Sequence, residues 1–373
     1  MVKYLTKPLP KAPMSATITE IAKTAKVSTG LVSRLVRNDP TLRVSDATVA
    51  RIRAVEKQLG GIKINRAARS LSTGLSYNIV LPISQVYRSH PMAWPAPVLL
   101  KNLEEGIRDR DFRLSITYFD QENTLTCFQD LSESPDYCDG MILLNGIINS
   151  NLARLFLDRR LAHIVIDPDG ERCNVNTVTA YAMSGIRQAI IHLQELGHRN
   201  IGFLGDERMA RFPLLVAVMT ERGLPVGGGL NCFLPEANVV GKTRDEWLFS
   251  VKRIFADRLK QRRQPATTAF ICQNDAVAHG AVEVLRDHGL CPGRDISLVG
   301  YDNSEERGDV PSAHPILTTI DNPVDLVGRR AADTLINQIL HKQHQIVHEH
   351  IPTKLIIRET TGPCVGGRQQ QKG

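Results

Sequence analysis

Acidic and amide side chains follow several of the short apolar runs between residues 77 and 360. They are Asp167, Asp206, Gln273, Asn274, Asp275, Asp302 and Asn303. Carboxylates in such positions can act as general acids or bases, and they can equally accept hydrogen bonds from a neutral ligand rich in hydroxyl groups. The residue types therefore leave two kinds of site open, one catalytic and one that only binds a ligand.

Motifs that would favour the catalytic interpretation do not occur in the sequence. The triplet GKT at 241–243 lacks the glycine that a phosphate-binding loop needs five residues earlier, where the chain has Glu236. The patterns GxSxG, HExxH and GxGxxG are also absent. We therefore predict no catalytic residues, no cofactor and no enzymatic activity.

Four histidines lie in the stretch HKQHQIVHEH at 341–350, which raises the question of a metal site. Their spacing matches no standard zinc pattern. We interpret the stretch as a solvated segment that precedes a strand, PTKLIIR, and we predict no metal site.

A second set of candidate residues lies in the stretch VSTGLVSRLV at 27–36, which contains side chains suited to DNA bases. Ser28 can cap a short helix here. The outward side of that helix carries Thr29, Gly30, Ser33 and Arg34. Because arginine pairs bidentately with guanine, Arg34 is the strongest candidate for a base contact, and Thr29 can offer its hydroxyl or its methyl group.

Gly30 is unexpected in this helix, since a glycine in a helix interior costs about 1 kcal/mol relative to alanine. The lack of a side chain would let the backbone come close to the DNA in a groove. Alternatively, the glycine only loosens an early turn of the helix. The sequence leaves both interpretations open.

The flanking residues predict a helix-turn-helix domain over 16–62. Thr17 or Thr19 can cap a first helix. Ser45 can cap a third helix, which the pair Gly60-Gly61 ends. With the apolar residues of such a small unit packed inward, the outward side of the second helix is free to enter a major groove.

Residues 63–76 join this domain to the rest of the chain. Asn65 can cap a single helical turn from Arg66 to Leu71, which Gly74 ends. A turn this short is unstable alone. It could fold on a minor groove, with Leu71 wedged into a base step. The alternative is an ordinary linker in which Leu71 packs on the next domain.

Positive charge is concentrated in the same part of the chain. Residues 1–75 contain 14 lysines and arginines against 4 acidic residues, a net charge of +10, whereas the other 298 residues contain 32 and 35, a net charge of −3. A basic head on a mildly acidic body indicates a polyanionic partner, and the alternative is a basic face without one. Residues 1–15, which include KPLPKAP, predict a disordered basic arm.

The body over 77–360 alternates apolar runs with helical patterns. Seven runs predict strands: NIVLPI, RLSITYF, GMILLN, HIVIDP, NIGFLG, TAFICQ and ISLVGYD. Alternation of strands and helices predicts parallel sheets covered by helices, and such sheets bind ligands at the carboxyl ends of their strands. The polar residues at the strand ends would then lie at one edge.

The composition places the chain among globular proteins. It has 373 residues, of which 42% are hydrophobic, and seven scattered cysteines without a CxxC spacing. No apolar run approaches the roughly 20 residues that a membrane span needs, and the N-terminus lacks the apolar core of a secretory signal. We therefore expect a cytoplasmic protein with no membrane partner.

Two stretches of the head, ATITEIAKTAKVSTGLVSRLV and NRAARSLSTG, resemble the lactose/galactose repressor family of bacterial transcription regulators. Four stretches of the body are similar to signatures of the same family: ELGHRNIGFLGD, NDAVAHGAVEVLRDHGL, ISLVGYDN and LTTIDNPVDLVGRRAA. The resemblance implies an all-α helix-turn-helix head plus a hinge helix, joined to an α/β body like that of periplasmic binding proteins. That body has two parallel-sheet subdomains, three crossings between them, and a ligand in the cleft.

The resemblance also implies site residues, with Leu71 as the minor-groove wedge. The candidate DNA-binding residues are Thr19, Ser28, Thr29, Gly30, Ser33, Arg34, Asn65, Arg66, Arg69 and Leu71. The candidate effector-binding residues are Asp167, Arg211, Asn274, Asp275 and Asp302. An arginine and carboxylates together can hold vicinal hydroxyl groups in a fixed orientation.

The chain departs from the family pattern at several positions. Thr29-Gly30 replaces a bulkier pair, so the operator sequence does not transfer. The stretch LGGIKIN is one residue longer than usual, and Pro168 stands where an arginine is common. A longer segment at 84–100 either places Tyr87 or Trp94 over the ligand or forms a surface loop.

Taken together, the sequence predicts a ligand-responsive, sequence-specific DNA-binding transcription regulator. We expect a homodimeric repressor of a carbohydrate-utilisation operon, released from a double-stranded DNA operator by a small sugar-like effector. The ligand-binding and dimerisation domain would span 77–360 and a disordered tail 361–373. The alternatives are a sugar-binding receptor-like protein without a DNA role and a co-repressor-dependent regulator of another metabolite pathway.

Overall fold

The structure is a computed structural model of the chain. It describes residues 16–36, 41–62, 66–84, 96–119, 126, 128–130, 138–144, 150–167, 175–227, 231–233, 244–261, 267–307, 312–342 and 345–364. The chain divides into two compact units between Leu75 and Ser76. In the described ranges, every helix is too short or too polar to cross a bilayer.

The described part of the first unit is helical. Its elements are α1 (Ile18–Ala25), α2 (Thr29–Val36), α3 (Asp46–Gln58) and α4 (Arg66–Thr73). The cap of α1 is Thr17 rather than Thr19: its Oγ1 accepts the Glu20 N–H at 3.2 Å, and Glu20 Oε2 accepts the Thr17 N–H at 2.7 Å. Such a capping box satisfies two of the otherwise unpaired N–H groups at the start of the helix.

The helix-turn-helix packs around a small apolar core. Its buried members are Ala16, Ile21, Ala22, Ala25, Val32 and Ile52. Ser28 Oγ accepts the Leu31 N–H at 3.1 Å and so starts α2, and Ser45 Oγ caps α3. The Ala16 N–H donates to Gly61 O at 2.8 Å, which joins the two ends of the domain.

We expect Thr17→Ala to destabilise the head by about 1 kcal/mol, because the first turn of α1 loses its cap. Differential scanning calorimetry of the full-length protein measures the effect on the head transition. Thr19→Ala is the matched control, since Thr19 is exposed within α1. Equal losses in both variants would contradict the assignment of Thr17 as the cap.

The second unit contains two sheets of six described strands each. In the first sheet all strands are parallel, in the order β11-β5-β4-β3-β1-β2. Its strands are β1 (Asn78–Ser84), β2 (Arg113–Phe119), β3 (Gly140–Leu144), β4 (Ala162–Ile166), β5 (Thr177–Tyr181) and β11 (His348–Pro352). The helices α5 (Ala96–Arg108) and α6 (Ser150–Arg159) lie between these strands in sequence.

The second sheet has the order β12-β10-β9-β8-β6-β7. Its strands are β6 (Ile201–Gly205), β7 (Cys232–Phe233), β8 (Ala269–Cys272), β9 (Ser297–Tyr301), β10 (Thr319–Asp321) and β12 (Lys354–Ile356). The helices of this region are α7 (Ala182–Glu195), α8 (Arg211–Glu221), α9 (Arg244–Lys260), α10 (Asp275–Asp287), α11 (Ser304–Arg307) and α12 (Val324–His341). All pairs are parallel except β10 with β12.

Within the described residues, the chain crosses three times between the sheets. The first crossing lies between β5 and α7, the second between β10 and α12, and the third between β11 and β12. Thr353 of the third crossing is fully buried and joins it to the first, because its Oγ1 donates to Tyr181 O at 3.0 Å and accepts the Gly185 N–H at 2.9 Å. Thr353 therefore holds the end of β5 and the first turn of α7, which lie on the two sides of the first crossing.

Two parts of the chain differ from the sequence expectations. The histidine stretch does not simply precede a strand, because residues 348–352 form edge strand β11 in parallel register with β5, in which His348 and His350 stay exposed. The first four residues of the predicted disordered tail lie against the second sheet. There the Gly362 N–H donates to Ser297 Oγ at 3.1 Å, and the Cys364 N–H donates to Leu196 O at 2.8 Å.

Candidate nucleic-acid interface and ligand cleft

The outward side of α2 carries the residues that the sequence predicts for base contacts. Thr29, Gly30 and Arg34 are exposed and Ser33 is partly exposed, whereas Val32 is fully buried in the core of the head. Arg34 Nη2 donates to Thr41 Oγ1 at 3.0 Å. Polar groups and a cationic side chain therefore lie on one side of α2, and the opposite side packs into the core of the head through Val32.

Gly30 has open space around it within the head. A Cβ built on this residue meets no atom within 4 Å. Packing inside the head therefore does not require a glycine, which leaves close approach of the helix backbone to DNA or a looser helical turn as its reason.

We expect Gly30→Ala to stabilise the head by up to about 1 kcal/mol, the difference between the two residues in a helix interior. At the same time we expect weaker operator binding, because the new methyl group faces the groove. Calorimetry and an operator titration measure the two effects separately. Unchanged operator affinity in a stabilised variant would support the looser-turn interpretation instead.

The hinge helix α4 has eight residues and is longer than the single turn that the sequence predicts. The helix continues past Leu71 to Thr73, whose Oγ1 donates to Arg69 O at 2.9 Å. It ends before Gly74, where φ is 70°. Leu71 is 89% exposed, the highest value for any large hydrophobic side chain that the structure describes. Asn65 and the side chain of Arg66 lie outside the described residues.

Arg211 occupies the first position of α8 and is held from three directions. Its Nη1 donates to Gln273 O at 2.9 Å, its Nη2 lies 3.7 Å from Asp302 Oδ1, and its guanidinium carbon lies 3.7 Å from the centre of the Tyr301 ring. Stacking on an aromatic face and bonds to two strand ends leave a guanidinium little freedom. Contacts within the protein therefore fix the position of the Arg211 guanidinium.

Asp302 follows β9 in an unusual backbone conformation. Its φ is 104° and that of Asn303 is 54°, a region that Asp and Asn tolerate better than most residues. The Asp302 N–H donates to Ile320 O at 2.8 Å, and Asn322 Nδ2 donates to its Oδ1 at 3.1 Å. These contacts direct the carboxylate toward Arg211.

Asp167 follows a strand of the other sheet, and its charge acts on the same guanidinium. It follows β4 with φ of 47°, and its Oδ1 accepts the Ala180 N–H at 2.8 Å. Burial acts to lower the pKa of Arg211, but the charges of Asp302 and Asp167 and the polar side chain of Tyr301 outweigh that effect and raise it. Both subdomains thus contribute acidic groups around one permanently charged cation.

Asn274 and Asp275 have different surroundings although they are adjacent in sequence. Asn274 is half-buried and caps α10, with Oδ1 accepting the Val277 N–H at 3.0 Å, so its Nδ2 is the donor it can offer to a ligand. Asp275 is 1% exposed. Its oxygens accept the Thr319 hydroxyl and the Ser304 N–H, both at 2.6 Å. Asp275 therefore supports the turn that carries Asp302 and does not face the cleft.

Burial raises the pKa of Asp275 from 3.8 to about 7. Because the folded protein holds this proton more tightly than the unfolded chain, the associated stability is complete below about pH 4 and is lost as the pH rises through about 7. We expect Asp275→Asn to flatten this decline between pH 5 and pH 8. Urea unfolding of both proteins at each pH measures it, and an identical slope in the variant would contradict the assignment.

Several residues of the site were not predicted from the sequence as contacts. Tyr301, which stacks on Arg211, and Asn322, which binds Asp302, carry no sequence signal beyond their position at strand ends. Asp206 is at a strand end as expected, but its carboxylate binds Arg208 Nε at 2.9 Å and Nη2 at 2.6 Å. Tyr87 and Trp94 lie outside the described residues.

The described residues form no cluster of three or more histidine, cysteine or acidic side chains that could hold a metal ion. The cleft combines one arginine with two carboxylates and amide groups. Such a set suits a neutral ligand with several hydroxyl groups, because the carboxylates accept and the arginine donates hydrogen bonds.

Two family profiles match the chain in separate regions. The profile described as "Bacterial regulatory proteins, lacI family" matches residues 17–60, and the profile of a periplasmic binding protein-like domain matches residues 190–361. The first covers the helix-turn-helix, and the second covers every strand of the second sheet together with Arg211 and Asp302.

Curated relatives match over nearly the whole chain. A regulator from Streptomyces limosus, named an uncharacterized HTH-type transcriptional regulator, is 26% identical over 97% of this chain and 100% of its own length. The HTH-type transcriptional repressor PurR of Aliivibrio salmonicida is 27% identical over 88% of this chain and 94% of its own. DegA of Bacillus subtilis, an HTH-type transcriptional regulator, is 26% identical over 94% and 99%.

Solved structures share the fold. The lac repressor dimer bound to its operator and the anti-inducer ONPF superposes with a TM-score of 0.62 at 20% identity, covering 93% of this chain and 99% of that one. A complex of the transcriptional regulator CelR with cellobiose gives a TM-score of 0.60 at 22% identity, covering 92% and 99%. These solved structures therefore share the fold of this chain.

Proposed function

We propose that this chain, which belongs to the lacI family of bacterial regulatory proteins, is a repressor that a small ligand releases from its operator. A helix-turn-helix and a ligand-binding body occur in one chain, and this is the observation that carries the proposal. The head supplies DNA contacts through the outward side of α2 and through Leu71. The body senses a metabolite in the cleft around Arg211.

The ligand that we propose is a neutral sugar. Arg211 already lies close to Asp302 and under the influence of Asp167, so the positive charge in the cleft is balanced. A ligand rich in hydroxyl groups can donate to these carboxylates and accept from the arginine. The related CelR structure holds cellobiose, and a related regulator from Enterococcus faecium holds ribose.

We further propose that the protein acts as a homodimer in the cytoplasm. Two heads related by twofold symmetry read a near-palindromic operator, since the symmetry of the protein is mirrored in the half-sites. A ligand that binds one arrangement of the two subdomains more tightly than the other shifts the hinge helices and lowers DNA affinity. We infer no chemical turnover of the ligand, which an assay for products from bound cellobiose checks.

Selection of genomic fragments by the purified full-length protein tests the DNA-binding part of this proposal. The fragments are mixed with the protein at moderate ionic strength, and bound fragments are sequenced. We expect strong enrichment of a near-palindromic sequence. Retention of all fragments in equal proportion, as non-specific binding gives, would argue against an operator-binding role.

A further inference from the structure

Asn322 lies where the ligand cleft meets the second crossing. It stands between the end of β10 and the start of α12 and is 3% exposed. Its Nδ2 donates to Asp302 Oδ1 at 3.1 Å, and its carbonyl accepts the N–H of Val324, the first residue of α12, at 2.8 Å. One residue therefore contacts both a candidate effector-binding carboxylate and the helix that leaves the cleft.

Only one of the two polar groups of the Asn322 side chain, Nδ2, forms a hydrogen bond with a described residue. Its Oδ1 is buried and accepts no hydrogen bond from any residue that the structure describes. A buried acceptor without a donor is destabilising, so this arrangement gains stability from any change that supplies a donor. A hydroxyl group bound beside Asp302 is such a donor, and so is a rearrangement of the crossing.

The helix that follows Asn322 packs on the opposite subdomain. α12 contacts α5 and the strands β3, β4 and β5 of the first sheet. Its packing is tight, since a Cβ on Gly328 would lie 2.9 Å from Leu99 O and one on Gly106 would lie 3.0 Å from the Ala332 Cβ. Closely packed helices move together, so a shift at the start of α12 reaches the first subdomain.

We propose that Asn322 is the positioning residue that couples occupation of the cleft to the second crossing. Its Nδ2 is bonded to Asp302, and its Oδ1 accepts no hydrogen bond from the described residues. A ligand that engages Asp302 changes this contact, and α12 carries the change to the first subdomain. The inference rests on the proposed function, because the consequence that matters is release of DNA.

The contact itself is tested without any ligand. Asn322→Asp places two carboxylates within about 3 Å, so one must take up a proton or the fold is destabilised. We expect a melting temperature below wild type at pH 8 that recovers toward pH 5. Asn176→Asp is the control, since Asn176 is also buried and its Oδ1 accepts the Val347 N–H at 2.8 Å, a bond that a carboxylate retains. Equal behaviour of both variants would overturn the contact.

The coupling is tested with the full-length protein, the operator that wild type selects, and cellobiose, D-glucose and D-ribose as probes. In Asn322→Leu we expect operator affinity close to wild type and a sugar-induced rise in melting temperature that is smaller but still present, since Arg211 and Asp302 remain in the cleft. The operator titrations therefore use a sugar concentration that saturates each protein. The effect of that sugar on operator affinity should fall about tenfold or more. If the sugar changes operator affinity in Asn322→Leu as much as in wild type, the proposed coupling is wrong.

The outcomes for wild type separate the two proposals. If wild type selects an operator and responds to a sugar, only the variant decides whether Asn322 couples the two events. If wild type selects no operator, or if no sugar changes its DNA binding, the proposed function is wrong. The proposed coupling through Asn322 is then wrong as well, because it rests on that function. The pH comparison then still decides whether Asn322 and Asp302 form the contact described.

Discussion

Replacing Leu71 with alanine is expected to abolish operator-specific binding while weak, salt-sensitive DNA binding remains. The side chain is 89% exposed on α4. A leucine in this position is suited to insert between base pairs from the minor groove, which kinks the duplex and extends the contact area. Since specific binding typically exceeds non-specific binding by about 1,000-fold or more, we expect a loss of operator affinity of at least about 100-fold.

Fluorescence anisotropy with the selected operator and a scrambled duplex separates the two binding modes. Titrations between 50 mM and 200 mM salt report the electrostatic part, which lysines and arginines of the head supply. Leu157→Ala is the control, because Leu157 is a half-exposed leucine of the body. Operator affinity in Leu71→Ala equal to that of the control would contradict the wedge.

Substituting Arg211 or Asp302 with alanine is expected to leave operator binding intact and to remove the response to ligand. The Arg211→Ala substitution removes the contacts of the guanidinium with Gln273, Tyr301 and Asp302. Hydrogen bonds to charged groups contribute about 1.5–3 kcal/mol each, so ligand affinity should fall by about tenfold to 100-fold. The head is a separate compact unit and should bind DNA as before.

Thermal shift with cellobiose, D-glucose and D-ribose measures ligand binding, and operator titration measures DNA binding. Arg187→Ala is the matched control, since Arg187 forms an exposed ion pair with Glu221 elsewhere on the second subdomain. A normal sugar-induced rise in melting temperature in Arg211→Ala would place the ligand away from this cleft. Loss of operator binding in either cleft variant would contradict the separation of the two roles.

Local patterns predicted much of the fold. All seven apolar runs form strands, because each contains the β-branched residues that are common in buried parallel sheets. Ser28 and Ser45 cap the helices they were expected to cap, since a hydroxyl acceptor before a helical pattern is a strong local signal. The family resemblance supplied the two-sheet body, which alternation alone does not specify.

Contacts between distant segments were beyond sequence reasoning. Asp275 was expected in the cleft beside Asn274, yet tertiary packing turns its carboxylate toward Thr319 and Ser304. The strand β11 was missed because its polar residues show no apolar run, and only pairing with β5 makes it a strand. Asn322 is one amide among many in the sequence, and its contact with Asp302 depends on the position of the second crossing.

We expect a ligand in the body to control the affinity of the head for DNA. The most direct test of this control is the operator dissociation constant of the full-length wild-type protein, with and without the sugar that raises its melting temperature. We predict that the sugar raises the dissociation constant about tenfold or more. An unchanged constant at saturating sugar would contradict ligand control, and a lower constant would contradict release by the ligand.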